Sequence, residues 1–254
     1  MNNYTFEFER DDIKFYVYKN AAVLKFKKNM FNMLADPKRS AEVLSLLDWV
    51  EQDEAVHALL VMNEPGVYGK EAYKKYIDSL LSKTEKGTME ITDPIKKLTR
   101  ARQMNMFRNF ILKVVKYNKL FIMALQGDVV TPFFGITLAA EFRFAHPDMK
   151  FVLAHSEFGM HPSGALPFFL QRYVGQSRAS EILYCGCEIE AIKAKDMGII
   201  NDVFNSNFEE TALEKTLELG EMDPKVLRLT KILNNTYLDN LEKYFDEEAK
   251  LIGF

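Results

Sequence analysis

The clearest indication of the fold is the stretch Lys119-Leu-Phe-Ile-Met-Ala-Leu-Gln-Gly127. Its unbroken apolar run, which ends at Gln-Gly, predicts a strand that is buried on both faces. The run at 56–62 has the same character, and a helical pattern precedes each run. Asp36-Pro37 and Asp93-Pro94 begin these two helices, because aspartate caps free N–H groups and proline fits the first turn. Strands and helices that alternate in this order predict an α/β fold with crossover units.

The two ends of the chain complete this pattern. Period-two alternation at 4–9 and 13–18, followed by the run at 22–26, predicts an antiparallel meander. From Gly164 onward the pattern is mainly helical, with one strand at 199–204 and two final amphipathic helices at 224–235 and 238–251. The polar segment 82–90 has no periodicity, which leaves an ordered lid and a mobile tip as alternatives.

The composition excludes several classes of protein. The 254 residues carry 33 Lys+Arg against 36 Asp+Glu, a net charge of −3, so no basic surface for nucleic acid is indicated. The longest apolar stretches fall far short of the ~20 residues that span a membrane, and the N-terminus has no signal-peptide core. Two cysteines, Cys185 and Cys187, provide neither a disulfide scaffold nor the spacing of a metal site. We therefore expect a cytoplasmic protein without a metal centre.

Three blocks of the sequence resemble the enoyl-CoA hydratase/isomerase (crotonase) superfamily in residue type and spacing. The first is the 119–127 stretch, followed by Leu138-Ala-Ala-Glu-Phe-Arg-Phe-Ala145. The second runs from Lys150-Phe151 through Gly159 and Pro162 to Tyr173-Val-Gly175, and the third spans 185–203. The resemblance covers nearly the whole chain and is strongest over 119–204.

The resemblance implies a ClpP/crotonase-like α/β spiral of strand–strand–helix turns. We expect a core over residues 1–195 and, in the same unit, a C-terminal helical region over 196–254 that mediates trimerisation, in a homotrimer or hexamer. The resemblance also implies a ligand, the acyl thioester of coenzyme A or of a carrier's phosphopantetheine. That group would enter as part of the substrate and not as a permanently bound cofactor.

The oxyanion hole of this family is altered in the sequence. Two backbone N–H groups hold the thioester carbonyl while an enolate forms, and loss of one costs about 3–4 kcal/mol of transition-state stabilisation. The family's GGG loop, which supplies one N–H, aligns with Thr131-Pro132-Phe133, and Pro132 has no N–H. The other N–H comes from a loop that aligns with 63–72, where Tyr68 or Gly69 could supply it.

The two glutamates that hydratases use are also missing at the aligned positions. In hydratases the pair holds one water and exchanges protons with it. The first position falls on Gly135 and the second on His155, two residues before Glu157. We therefore do not expect hydration of an enoyl thioester.

His155 is the expected proton carrier, because an imidazole with a pKa of about 6.5 can act as acid or base at neutral pH. Glu157 is the second catalytic candidate.

Arg100, Arg102 and Arg108 on the long helix could contact phosphate. The expected substrate-binding positions are Tyr68, Gly69, Gly127, Thr131, Pro132, His161 and Lys231, the last near the CoA phosphates. For each of these residues an ordinary structural or surface role is the competing interpretation.

Three hypotheses of function stay open. The first is a lyase or isomerase that acts on an acyl thioester by enolate chemistry, such as isomerisation, decarboxylation or C–C/C–X cleavage. The second is a crotonase-fold protein that has lost catalysis and serves as a binding or structural subunit, as Pro132 and Gly135 suggest. The third is a hydrolase or lyase with a substrate other than a thioester. The sequence favours the first narrowly.

Overall fold

The computed structural model of the protein describes residues 6–28, 30–85 and 87–251. The strands are β1 (Phe6–Glu9), β2 (Ile13–Tyr18), β3 (Ala21–Phe26), β4 (Ala58–Asn63), β5 (Ser82–Lys83), β6 (Met89–Glu90), β7 (Leu120–Leu125), β8 (Asp128–Val130), β9 (Phe142–Ala145), β10 (Lys150–Val152), β11 (Ile189–Glu190) and β12 (Asp202–Val203). The helices are α1 (Met30–Ala35), α2 (Pro37–Gln52), α3 (Lys70–Leu80), α4 (Pro94–Lys116), α5 (Thr131–Thr137), α6 (Leu166–Cys185), α7 (Ala191–Asp196), α8 (Phe208–Leu219), α9 (Pro224–Asn234) and α10 (Leu238–Lys250), with a 3-10 turn at Ser156–Phe158.

Two sheets organise these elements. The larger sheet has the strand order β1-β2-β3-β4-β7-β9-β12, and the smaller one has the order β11-β10-β8. Strands β1 to β3 form the predicted antiparallel meander, whereas β3, β4, β7, β9 and β12 run parallel. Strands β7 and β8 lie in different sheets, as do β9 and β10, so the chain winds between the sheets. This is the α/β spiral that the resemblance implies.

The physical signals in the sequence act as predicted at the sheet centre and at two helix starts. Every residue of β4 and of β7 is buried, because helices cover both faces of the parallel sheet. The Asp36 carboxylate accepts the N–H groups of Lys38 and Arg39, and the Asp93 carboxylate accepts those of Ile95 and Lys96. Both prolines stand in the first helical turn.

Some elements differ from the sequence prediction. Helix α1 was not predicted, and neither was β11. The segment 82–90 carries the short hairpin of β5 and β6, whose strands exchange backbone hydrogen bonds that a polarity pattern does not reveal. The strand predicted at 4–9 is described only from Phe6, since residues 1–5 lie outside the described part.

Across the described ranges, no helix combines the length and the apolar character that crossing a membrane requires. The same ranges hold no group of three or more His, Cys, Asp or Glu side chains placed to bind a metal ion.

Candidate functional site

The ends of two neighbouring parallel strands bring Thr131 and His155 together. Strands β8 and β10 pair in parallel with Val130 opposite Val152, so the residues that follow them emerge at the same edge. Helix α5 begins directly after β8, and His155 lies three residues beyond β10. The Thr131 hydroxyl is 3.1 Å from Nδ1 of His155, and both side chains are buried. The Val130 N–H donates to the Tyr68 carbonyl at 3.0 Å, which adds the loop before α3 to the same place.

His155 is held as a neutral ring. Burial lowers the pKa of His155, a backbone hydrogen bond with Leu183 opposes the shift, and the nearby His161 adds to it. The ring therefore lies between Thr131 on one side and the backbone of α6 on the other. A neutral imidazole is the form that can accept a proton, although both of its sides already contact protein groups.

The two positions expected to form the oxyanion hole differ in the backbone N–H groups that they offer. Pro132 lies in the first turn of α5 and offers no N–H, so that turn retains only the N–H groups of its neighbours. The N–H of Gly69 donates to the Gly66 carbonyl at 3.1 Å and is therefore engaged inside its own turn. The N–H of Tyr68 has no hydrogen-bond partner among the described residues. Tyr68 is thus the better placed of the two expected donors.

Aromatic packing fills the space beside this loop. The Tyr68 ring stacks on Phe133 with a centroid distance of 4.1 Å and an angle of 20°. The edge of Phe31 meets Phe133 at 5.1 Å. The cavity that remains behind these rings measures about 10 Å³, which is no more than one water molecule needs. An acyl chain would have to displace these rings to enter there.

The position that aligns with the first hydratase glutamate has no room for a side chain. A Cβ atom placed on Gly135 would lie 2.1 Å from the Gly164 carbonyl oxygen. A Cβ on Gly164 would lie 2.3 Å from the Pro132 carbonyl oxygen, and Gly164 also has a φ of +71°, which favours glycine. The backbone of the 163–165 turn therefore occupies the space that the glutamate would need.

The other expected site residues are dispersed. Glu157 is exposed and forms an ion pair of 2.7 Å with Lys70. Gly127 forms the turn between β7 and β8 with a φ of +67°, and its N–H donates to Asp148. Lys231 is buried on α9, where its ammonium contacts the Glu141 carboxylate at 2.9 Å. Its charge already has an anionic partner.

A buried polar cluster adjoins His155, and only His161 and Arg100 of it are among the residues expected from the sequence. His161 is half-buried, and burial lowers the pKa of His161, while the charge of Arg100 acts in the same direction. Arg100, Tyr76 and Glu248 complete the cluster from α4, α3 and α10, and all three are buried. Burial raises the pKa of Glu248 to about 7, opposed by a backbone hydrogen bond from Ala165, the charge of Arg100 and the Tyr244 hydroxyl.

The sequence does contain a signal for this cluster. Glu248 continues the buried face of α10 that Leu241 and Phe245 define, at a spacing of three and four residues. Arg100 occupies the same kind of position on α4, one turn before Met104. A charged residue on an apolar helix face indicates a buried polar site, and this criterion would have added Glu248 to the candidates.

The family model described as enoyl-CoA hydratase/isomerase matches residues 90–253. A curated relative, the probable enoyl-CoA hydratase 1, peroxisomal, of Arabidopsis thaliana, is 29% identical over 130 residues, which are 49% of this chain and 48% of that protein. A trans-2-decenoyl acyl-carrier-protein isomerase of Streptococcus mutans is 25% identical over 162 residues, 64% of this chain and 57% of that protein. The chain thus spans about half the length of these curated relatives.

A solved structure has the same fold. The enoyl-CoA hydratase/isomerase of Cupriavidus metallidurans superimposes with a TM-score of 0.71 at 23% identity, covering 95% of this chain and 89% of that one. At this identity the likeness extends to the fold alone.

Proposed function

The chain belongs to the enoyl-CoA hydratase/isomerase family, and from this premise we propose that it acts on an acyl thioester by enolate chemistry without adding water. The thioester is linked to CoA or to a carrier protein. The reaction class is isomerisation, decarboxylation or C–C/C–X cleavage, so the protein is an isomerase or a lyase.

The contact between Gly135 and Gly164 carries this proposal. Hydration requires a carboxylate pair that holds the attacking water, and the first aligned position cannot accept any side chain because Gly164 O lies 2.1 Å from where its Cβ would be. The second aligned position is His155, and burial lowers the pKa of its ring, which favours the neutral form. One base next to a thioester can move a proton between carbon atoms, but it lacks the partner that hydration needs.

The proposed roles follow from the contacts of each group. The Tyr68 N–H would donate to the thioester oxygen as charge develops there. His155 would move the proton once the substrate displaces the contact of its ring with the Leu183 backbone. Thr131 would hold the imidazole through its 3.1 Å contact with Nδ1. Glu157, which is exposed and paired with Lys70, would act at the entrance rather than at the reacting carbon.

Deuterium uptake tests this proposal without knowledge of the natural acyl group. We expect butyryl-CoA or 3-hexenoyl-CoA, incubated with the protein in D2O, to gain deuterium next to the thioester carbonyl without forming a 3-hydroxyacyl product. Mass spectrometry measures both. His155→Ala should abolish the exchange, whereas His57→Ala should not, because His57 precedes β4 and contacts the Gly220 carbonyl instead. A hydrated product would refute the proposal, and exchange that survives in His155→Ala would refute the proposed base.

A second candidate function is binding without catalysis. Pro132 and the engaged N–H of Gly69 favour it, because together they remove two of the expected oxyanion donors. It predicts that CoA or an acyl-CoA raises the melting temperature, as a ligand of the native state does, while no deuterium is exchanged. Any exchange ends this alternative. Turnover of another substrate without a shift by CoA would instead support the non-thioester hypothesis.

The proposed assembly is a homotrimer or hexamer. The exposed face of α9 and the turn before it presents large apolar side chains: Met222, Val226, Leu229, Ile232 and Leu233. A continuous apolar helix face favours contact with another protein surface, and a second copy of the chain is the proposed one. Light scattering should give a trimer or hexamer for the parent protein and a monomer for Leu229→Glu/Ile232→Glu. A monomeric parent protein would refute it.

A further inference from the structure

Arg100 is a buried cation whose contacts are neutral. It is 6% exposed. One terminal nitrogen donates to the amide oxygen of Gln103, and the other lies 4.0 Å from the sulfur of Met160. No carboxylate forms an ion pair with Arg100 among the residues that the structure describes. A buried charge without a counter-ion is costly to a fold, so a compensating group is expected from elsewhere.

The polar groups around Arg100 are incomplete as well. The Tyr76 hydroxyl and Oε1 of Glu248 are both buried, and neither has a hydrogen-bond partner in the described part of the chain. The charge of Arg100 acts on both side chains and also on His161. A buried cation therefore lies within electrostatic range of a buried hydroxyl and a buried carboxyl group, and in the described part of the chain no hydrogen bond joins Arg100 to either of them. Buried polar groups that are unpaired within the chain can accept a polar group from outside it.

The positive charge of Arg100 favours an anion as the ligand, and the shape of its guanidinium group favours a carboxylate. The guanidinium fork matches the two oxygens of a carboxylate, and its charge would no longer be unpaired. The Tyr76 hydroxyl can donate to the same group. Glu248 can do so too when it is protonated, and a bound anion favours that form.

The cluster also lies near His155, so the far end of an acyl group bound at His155 could meet it. His161 affects the titration of His155, and the backbone of Ala165 contacts Glu248. The segment 156–162 contacts Arg100 through the Met160 sulfur, and its exposed residue Glu157 pairs with Lys70. Because an exposed pair contributes little to stability, moving this segment aside would mainly cost the contacts of Phe158 and Met160 with Tyr73, and this is the proposed route of entry.

We propose that Arg100, Tyr76, His161 and Glu248 form a subsite for a carboxylate at the far end of the acyl group. The substrate class is then the thioester of a dicarboxylic acid. This inference rests on the proposed acyl-thioester function and narrows it.

Binding of matched thioesters tests the subsite. The probes are succinyl-, glutaryl- and adipyl-CoA, each beside the neutral acyl-CoA of the same carbon number, measured by calorimetry. We expect at least one dicarboxylic thioester to bind more tightly than its neutral counterpart. In Arg100→Met its affinity should fall about 10- to 100-fold, while that of the neutral thioester changes less than about threefold. Lys97→Met is the matched control, since Lys97 is an exposed cation on the same helix.

The outcomes separate the two proposals. If no thioester binds, the proposed function fails and this inference fails with it. If both kinds bind equally, or if Arg100→Met weakens both equally as loss of a CoA-phosphate contact would, only the dicarboxylate subsite is refuted. Should Arg100→Met not fold, Arg100→Lys keeps the charge but not the fork, and it must still weaken the dicarboxylic thioester selectively.

Discussion

Lys231 and Arg100 are both buried cations, and their surroundings differ. The Lys231 ammonium contacts Glu141 at 2.9 Å and the Lys119 carbonyl at 3.3 Å, and the Phe121 N–H donates to the same carboxylate. Among the residues that the structure describes, Arg100 contacts only an amide and a thioether, although its charge acts on the Glu248 carboxyl. The charge of Lys231 therefore has an ion-pair partner, which we call a matched charge. The charge of Arg100 has no such partner among the described residues and is called unmatched.

This difference distinguishes the ion pair of Lys231 and Glu141, which has a structural role, from the proposed ligand subsite at Arg100. Glu141 lies just before β9, and Lys231 lies on α9, so their contact fixes the late helix to the sheet. Burial raises the pKa of Glu141 and lowers that of Lys231, and their mutual attraction opposes both shifts. Arg100 bonds within its own helix, to Gln103, and contacts Met160 of the segment 156–162. Three predictions test whether the difference is real.

The largest effect is expected at the matched pair. Lys231→Met leaves the partly buried Glu141 carboxylate without its cation and should lower the free energy of unfolding by about 3 kcal/mol, the lower end for a broken buried pair, measured by urea denaturation. Lys225→Met, on the exposed side of the same helix, should change it by less than about 0.5 kcal/mol.

The double variant Lys231→Met/Glu141→Leu separates the pair from simple loss of packing. It should recover most of the stability, because it removes both charges. A small loss in Lys231→Met combined with weaker CoA binding would instead support the phosphate contact expected for this lysine and would end the comparison.

The second effect concerns the pH dependence at Glu248. Its pKa rises from an ordinary 4.5 to about 7, so the native state holds a proton that the unfolded chain releases. The resulting stability is present below about pH 4.5, declines as the pH rises through 7, and amounts to about 3 kcal/mol. Glu248→Gln should therefore match the parent protein near pH 5 and exceed its unfolding free energy by up to about 3 kcal/mol near pH 8.

The groups that face Glu248 are Arg100 from α4, Tyr244 from its own helix and the backbone of Ala165. They are unchanged in Glu248→Gln, so the difference between the two stability curves isolates this carboxyl group. Glu247→Gln is the control, because Glu247 is exposed and paired with Lys250. A parent curve parallel to that of Glu248→Gln between pH 5 and 8 would mean that Glu248 is already ionised and that Arg100 has its counter-ion.

The sequence predicted features that depend on neighbouring residues better than features that bring distant parts of the chain together. Asp36 and Asp93 cap their helices because a cap needs only neighbouring residues. The loss of an N–H at Pro132 is likewise a property of the residue itself. Glu248 and Tyr76 come from helices far apart along the chain, and no local rule states that both face Arg100.

The glycine at 135 illustrates the same limit. The aligned position indicates that a glutamate is missing, but not why. The reason is the approach of Gly164 to within 2.1 Å of the missing Cβ, and such long-range packing is fixed only when α5 and the 163–165 turn meet.

The smallest effect compares two buried tyrosine hydroxyls. The Tyr117 hydroxyl donates to the Leu47 carbonyl at 2.9 Å, whereas that of Tyr76 has no partner among the described residues. Tyr117→Phe should lower the free energy of unfolding by about 1 kcal/mol or more, because it leaves a buried carbonyl unpaired. Tyr76→Phe should leave it unchanged or raise it slightly, since it removes a buried polar group that makes no bond. Equal losses in urea denaturation would mean that the Tyr76 hydroxyl is satisfied in the free protein. If instead Tyr76→Phe keeps its stability but binds a dicarboxylic thioester more weakly, the Tyr76 hydroxyl donates to the carboxylate of the ligand, as the proposed subsite requires.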